Sequence, residues 1–145
     1  MLMLRLLLFA SLLGLTMSEA RPRIAVLTDG SREQRCSLVR LLLYLDGLKL
    51  ESLFHQGDVA WIEEKLSFYA QCQLRLQENA PTFPEAGELR GAVRPATVPG
   101  IVTQLLQPSK EKLHFLVWSG ADEVLDALSQ IEKQHADQKA YVAKR

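Results

Sequence analysis

The sequence predicts a three-layer α/β protein with a doubly wound, mostly parallel sheet. Short aliphatic runs alternate along the chain with longer segments whose apolar residues recur at helical spacing. Near the start of this pattern a strand, a helix and a second strand follow one another within about thirty residues, the length of a βαβ unit. In such a sheet, ligands bind beside the carboxyl ends of the strands.

Residues 1 to 20 have the layout of a secretory signal peptide. Arg5 gives a positive start, Leu6 to Leu15 an apolar stretch, and Ser18 to Ala20 the residues at which a signal peptidase cleaves. The apolar stretch is about half of the roughly 20 residues needed to span a bilayer. We therefore expect cleavage after Ala20 and a secreted or periplasmic mature chain that has no membrane anchor.

The charge balance argues against polyanionic partners. The chain has 17 basic and 17 acidic residues, and no block of like charge stands out. Nucleic acid and anionic membrane surfaces are therefore not expected as partners. Cys36 and Cys72 would be exported together and could form a disulfide, which the sequence alone cannot decide. No motif with the spacing of a structural zinc site occurs.

The predicted elements follow from apolar periodicity and from turn residues. The first strand ends at Asp29, Ser37 is the expected N-cap of the first helix, and Gly47 its stop. A long loop containing a short helix is expected from residue 79 to residue 100, because four prolines fall there. The last segment, KAYVA, is typical of the beginning of another strand. In full, we predict strands near residues 23 to 28, 48 to 54 and 112 to 118, and helices near 37 to 46, 58 to 78, 85 to 93, 101 to 106 and 121 to 135.

Three stretches resemble one known family. They are RIAVLTDGSREQRCSLVRLLLY, ENAPTFPEAGELRGAV and LHFLVWSGADEVLDAL, and they are similar, in the same order, to the secreted nucleoside-hydrolase-like domain of bacterial proteins sometimes labelled cellulose-binding. The resemblance implies a nucleoside-hydrolase-like, Rossmann-like fold. It covers the amino-terminal part of that domain, so residues 21 to 145 are expected to be an incomplete copy.

The resemblance also implies a site. In nucleoside hydrolases an Asp at the end of the first strand and a following Asp pair hold calcium, which prepares a water to attack the sugar C1 of an N-glycosidic bond. Asp29 matches the first Asp, as metal ligand and vestigial catalytic base. The Asp pair is replaced within Arg32 to Cys36, where Glu33 is the one acid and two arginines repel a cation. We therefore expect no cofactor, or calcium only if the ancestral site is retained.

The second loop of the resemblance supplies the remaining candidates. By position, the backbone carbonyl of Ala121 is a second metal ligand and Asp122 stands where the family has a substrate-binding Asn. Trp118 and Ser119 are further candidates for binding substrate. The residues alone favour plainer interpretations, in which Asp122 is a helix N-cap or an acid in the first helical turn and Trp118 is an aromatic core residue.

Three functions stay open at this point. The first is a non-catalytic or truncated homologue with a cleft for a carbohydrate or nucleoside-like small molecule. The second is a hydrolase of N-glycosidic or other glycosidic bonds that uses a metal-activated water. The third is a gene fragment that folds poorly, in which an unpaired sheet edge favours self-association.

Overall fold

The computed structural model describes residues 21 to 144 and confirms the predicted fold class. Four parallel strands form one sheet in the order β3-β2-β1-β4. Their bounds are β1 (Arg23–Thr28), β2 (Lys49–His55), β3 (Val93–Pro95) and β4 (Leu113–Val117). The predicted parallel pairing of the first two strands is also confirmed, with Val26 opposite Leu53.

The helices cover both faces of the sheet, as a doubly wound fold requires. One face is covered by α1 (Arg32–Leu42), α2 (Ala60–Asn79) and α3 (Ala86–Ala92), and the other by α4 (Val98–Leu106) and α5 (Ala121–Gln134). A 3-10 turn (Ala136–Gln138) and the short α6 (Lys139–Val142) follow α5.

β1 is the centre of the core because it has a strand on each side and helices on both faces. All six of its residues are buried. Val26 packs beneath α1 and α2, whereas the next residue, Leu27, packs toward α4 and α5. This alternation follows from the two-residue period of a strand, and it explains why the sequence there is a continuous aliphatic run.

A nearly buried ion pair closes the amino end of β1. The Arg23 guanidinium donates to Glu51 at 2.9 Å, and the two side chains are 5% and 13% exposed; Lys49 reaches the same carboxylate at 3.0 Å. Burial raises the pKa of the Glu51 carboxyl, but the hydrogen bonds and charges of Arg23 and Lys49 lower this pKa more, so it lies below its ordinary value.

The structure differs most from the sequence predictions in the start of α1, in an unpredicted strand and in the type of the last element. α1 begins at Arg32, with Ser31 and not Ser37 at the N-cap position. The short strand β3 was not predicted; it forms against β2, where Leu53 pairs with Val93. The segment KAYVA is wrong as a strand, because its first four residues form α6, which is held by Tyr141 as its hydroxyl donates to the Gln107 carbonyl at 3.0 Å.

The predicted signal peptide, residues 1 to 20, lies outside the described residues. Within residues 21 to 144, no helix combines the length and the apolar character needed to cross a membrane. Cys36 and Cys72 are free, exposed thiols in this structure.

Candidate functional site

The strand order places the topological switch point of the sheet at the carboxyl edge between β1 and β4, where a crevice is expected. After β1 the chain enters α1 on one face of the sheet, and after β4 it enters α5 on the opposite face. The two loops therefore diverge from neighbouring strands, which is the arrangement at which open α/β sheets bind ligands. We call the space between loop Asp29–Ser31 and loop Trp118–Gly120 the switch-point crevice.

The loop after β1 is a tight turn shaped by Asp29 and Gly30. Asp29 is exposed, and its Oδ1 accepts from the Ser31 amide at 2.8 Å. Gly30 has φ +77, and a Cβ added there would lie 2.5 Å from Trp61 Nε1. Any side chain at this position would therefore collide with the indole as well as strain the backbone.

Gln34 connects the two loops. Its Oε1 accepts from Thr28 Oγ1 at 2.6 Å and from the Asp29 amide at 2.9 Å. Its Nε2 donates to the Trp118 carbonyl at 3.3 Å. One neutral side chain from the first turn of α1 thus joins the end of β1 to the end of β4.

The loop after β4 contributes a hydroxyl and a backbone carbonyl. Trp118 is half-buried; its amide donates to the Leu27 carbonyl at 3.0 Å and its ring packs against the core beneath α1 and α2. Ser119 Oγ is inaccessible to solvent and has no hydrogen-bond partner in the part of the chain that the structure describes. A buried polar atom without a partner is uncommon and calls for a functional explanation.

The first turn of α5 holds the other predicted residues. Ala121 is the first residue of α5, so its carbonyl points along the helix toward an amide four residues on. Asp122 is exposed in the same turn, where its carboxylate interacts favourably with the positive end of the helix dipole. The neighbouring Glu123 accepts a hydrogen bond from Gln56, which follows β2. The carbonyl that joins the two loops is that of Trp118, which accepts from Gln34.

Trp61 and Arg35 form a second layer behind the loop after β1. Arg35 donates to the Gly30 carbonyl at 2.7 Å, and its guanidinium lies 5.6 Å from the centre of the Trp61 ring. This distance allows a cation–π interaction. Trp61 is only 6% exposed, and its Nε1 has no hydrogen-bond acceptor among the described residues. Both side chains therefore lie against Gly30, Arg35 through a hydrogen bond and Trp61 through its indole ring.

The residues at the crevice fit a calcium ion poorly. Calcium takes about six to eight oxygen ligands, whereas the two loops carry a single carboxylate, that of Asp29, and the Trp118 carbonyl already accepts from the Gln34 amide. Glu33 is exposed on α1. Among residues 21 to 144, no group of three or more acids, histidines or cysteines is arranged to hold a metal.

Gln34 and Gln56 were not among the residues predicted from the sequence. Gln34 joins the two loops of the crevice, and Gln56 joins the end of β2 to Glu123 of α5. The position of Gln34 could have been found from the segment Ser31-Arg32-Glu33-Gln34, which has the spacing of a capping box at a helix start. That pattern predicts a helix beginning after Ser31, which would have brought Gln34 back toward the end of β1.

Comparison of the chain with protein-family models, with curated proteins and with solved structures finds no match in any of the three. The relation to the nucleoside-hydrolase-like domain therefore rests on the three sequence stretches alone, and any function drawn from it is a proposal.

Proposed function

We propose that this chain is an exported, nucleoside-hydrolase-like protein that does not catalyse hydrolysis and binds a neutral, sugar-like ligand in the switch-point crevice. The observation that carries the proposal is the Gln34 bridge, in which one side chain accepts from Thr28 and Asp29 and donates to the Trp118 carbonyl. In the hydrolases that the sequence resembles, a cation holds the corresponding loops together, whereas here an amide N–H occupies the Trp118 carbonyl. A carbonyl that accepts this bond is less available to a metal.

The groups left over suit a polyhydroxyl ligand. The Ser119 hydroxyl can both donate and accept, and it has no partner among the described residues. Because its oxygen is buried, binding would require the side chain to rotate toward the crevice. The exposed Asp29 carboxylate, bonded through Oδ1 to Ser31, can accept from a sugar hydroxyl. A carboxylate also disfavours an anionic ligand such as a phosphate, so we expect a free sugar or a nucleoside and not a nucleotide.

Binding is tested with the chain from residue 21 to residue 145, titrated by calorimetry with ribose, with a nucleoside and with the matching nucleotide. The Ser119→Ala variant should lose about one hydrogen bond, which is roughly fivefold to tenfold in affinity. Its stability should be unchanged or slightly higher, because the buried hydroxyl has no partner to lose. Ser129→Ala, an exposed serine on α5, is the matched control and should bind like the wild type.

Catalysis is tested with a p-nitrophenyl riboside, with and without calcium, on the wild type and on Asp29→Ala. We expect no turnover above background in either protein. Calcium-dependent turnover that disappears in Asp29→Ala would refute the non-catalytic assignment and favour a hydrolase. Equal affinity of the wild type and Ser119→Ala for every sugar would refute the crevice as the binding site.

A further inference from the structure

The two edges of the sheet are protected to very different degrees. β3 has three residues and includes Arg94 and Pro95, and short length, charge and proline are devices that block pairing at an edge. β4 has five residues, Leu113 to Val117, with no proline and no Lys, Arg, Asp or Glu. The β4 edge therefore lacks the features that prevent another strand from adding to it.

The outward-facing backbone groups of β4 can be assigned from its pairing with β1. The Trp118 amide donates to Leu27 of β1, and the groups of successive strand residues point to opposite sides. The amides and carbonyls of Leu113, Phe115 and Val117 therefore face away from β1. No described strand pairs with them.

Apolar side chains surround this edge. Val117 is 41% exposed, and on the following helix α5 Leu128 is 41% and Leu125 is 60% exposed. The two leucines lie about one helical turn apart and therefore share a face of α5. An apolar shallow groove beside them is completed by Val142 and Ala143 of the last segment. The unpaired strand and the uncovered helix face thus form one surface, which we call the β4–α5 surface.

We propose that the β4–α5 surface binds a second copy of this chain across a two-fold axis, with the two β4 strands antiparallel. An axis at Phe115 places this residue opposite its own counterpart and Leu113 opposite Val117 of the other copy. All three residues are those with outward-facing groups, so each opposed pair exchanges both of its N–H···O bonds. The two four-stranded sheets become one continuous sheet.

The same axis brings the two helices together. α5 covers the sheet face on which Leu113 and Phe115 pack, so the axis sets the two α5 helices side by side over the new strand pair. Leu125 and Leu128 of each copy then lose their exposure to water against the partner. A surface that pairs with itself in both its backbone register and its apolar helix face is suited to an isologous dimer. This inference does not depend on the proposed ligand.

Sedimentation equilibrium over a range of concentrations tests the association. The wild type should dimerise. Val117→Lys puts a charge on the edge and should weaken dimerisation at least tenfold, as should Leu128→Glu on the helix. Leu74→Lys is the matched control, because Leu74 is an exposed leucine on α2, which covers the opposite face of the sheet; this variant should dimerise like the wild type.

Hydrogen exchange identifies the interface directly. The amides of Phe115 and Val117 should gain protection as the protein concentration rises, whereas the Leu116 amide, which faces β1, should be protected at every concentration. Circular dichroism checks that Val117→Lys and Leu128→Glu fold like the wild type. A monomer at all concentrations, or a dimer that survives both Val117→Lys and Leu128→Glu, would overturn the proposal.

Discussion

The Gln34 bridge leads to a quantitative prediction about stability. Gln34→Ala removes three hydrogen bonds at once, to Thr28, Asp29 and Trp118. Thr28 is fully buried, so its hydroxyl loses its acceptor where water enters poorly, at a cost of about 1–2 kcal/mol. The Asp29 amide can bond to water and the 3.3 Å bond to Trp118 is long, so together these two add about 1 kcal/mol. We expect Gln34→Ala to lower the free energy of unfolding by roughly 2–3 kcal/mol.

A double-mutant cycle separates the Thr28 contact from the rest. Thr28→Val keeps the shape of the side chain but removes the hydroxyl that Gln34 accepts from. In this background Gln34→Ala should cost about 1 kcal/mol less than in the wild type, because no buried hydroxyl is then left without its acceptor. Gln71→Ala, a change of an exposed glutamine on α2, should stay within about 0.5 kcal/mol of the wild type.

Urea denaturation followed by tryptophan fluorescence is a suitable assay. Both tryptophans of the chain, Trp61 and Trp118, lie beside the loops that Gln34 joins or braces. A cost of Gln34→Ala below about 0.5 kcal/mol would show that the amide does not hold the two loops together. Strictly additive costs in the cycle would show that the Thr28 hydroxyl does not depend on Gln34.

Three further predictions test the loop, the ion pair and the metal. Gly30→Ala should destabilise the fold by roughly 3 kcal/mol, because the new methyl meets the indole ring in a left-handed turn, whereas Gly87→Ala, with nothing within 4 Å, should be neutral or stabilising in urea melts. Folding lowers the pKa of the Glu51 carboxyl, so the stabilisation by its ion pair is present above the ordinary pKa of 4.5 and is lost as the pH falls through the lowered pKa of the folded state. The Glu51→Gln variant should therefore lose less stability than the wild type on acidification, measured as the free energy of unfolding against pH. Glu132→Gln, at an exposed ion pair, should change this pH dependence far less. Calcium at about 1 mM should leave the melting temperature of the wild type and of Asp29→Ala unchanged, and a rise of several degrees in the wild type alone would contradict this expectation.

The parts of the fold that were predictable are those with a strong local pattern. The aliphatic runs that became β1 and β4 can hardly form anything but buried strands between turn residues, and the spacing of apolar residues marked α2 and α5. β3 was not predictable in this way, since its three residues end in Pro95 and adopt the strand conformation through pairing with β2. The local sequence of KAYVA suits a short strand or a helical turn, and the anchoring of Tyr141 on the Gln107 carbonyl favours the helix.

The candidate site was predictable in its position and less so in its chemistry. The alternation of strands and helices places Asp29 and Ser119 at one edge of the sheet, because carboxyl ends of parallel strands share an edge. The Gln34 bridge depends on where α1 begins. With a start at Ser37, Gln34 lies in an open loop; with the start at Arg32, its side chain turns back onto the end of β1.

The presence of Gln34 in the crevice has a consequence for the kind of ligand that this scaffold can take. A metal ion draws loop oxygens toward itself and leaves its open positions to water or substrate. The Gln34 amide satisfies one carbonyl and two donors by itself and adds no charge of its own to the crevice. The field that would ionise a water is therefore absent from this bridge, while the geometry of the loops is kept. Under the proposed function, a ligand would therefore be held by hydrogen bonds to Ser119 and Asp29, which suits recognition of hydroxyl groups better than bond cleavage.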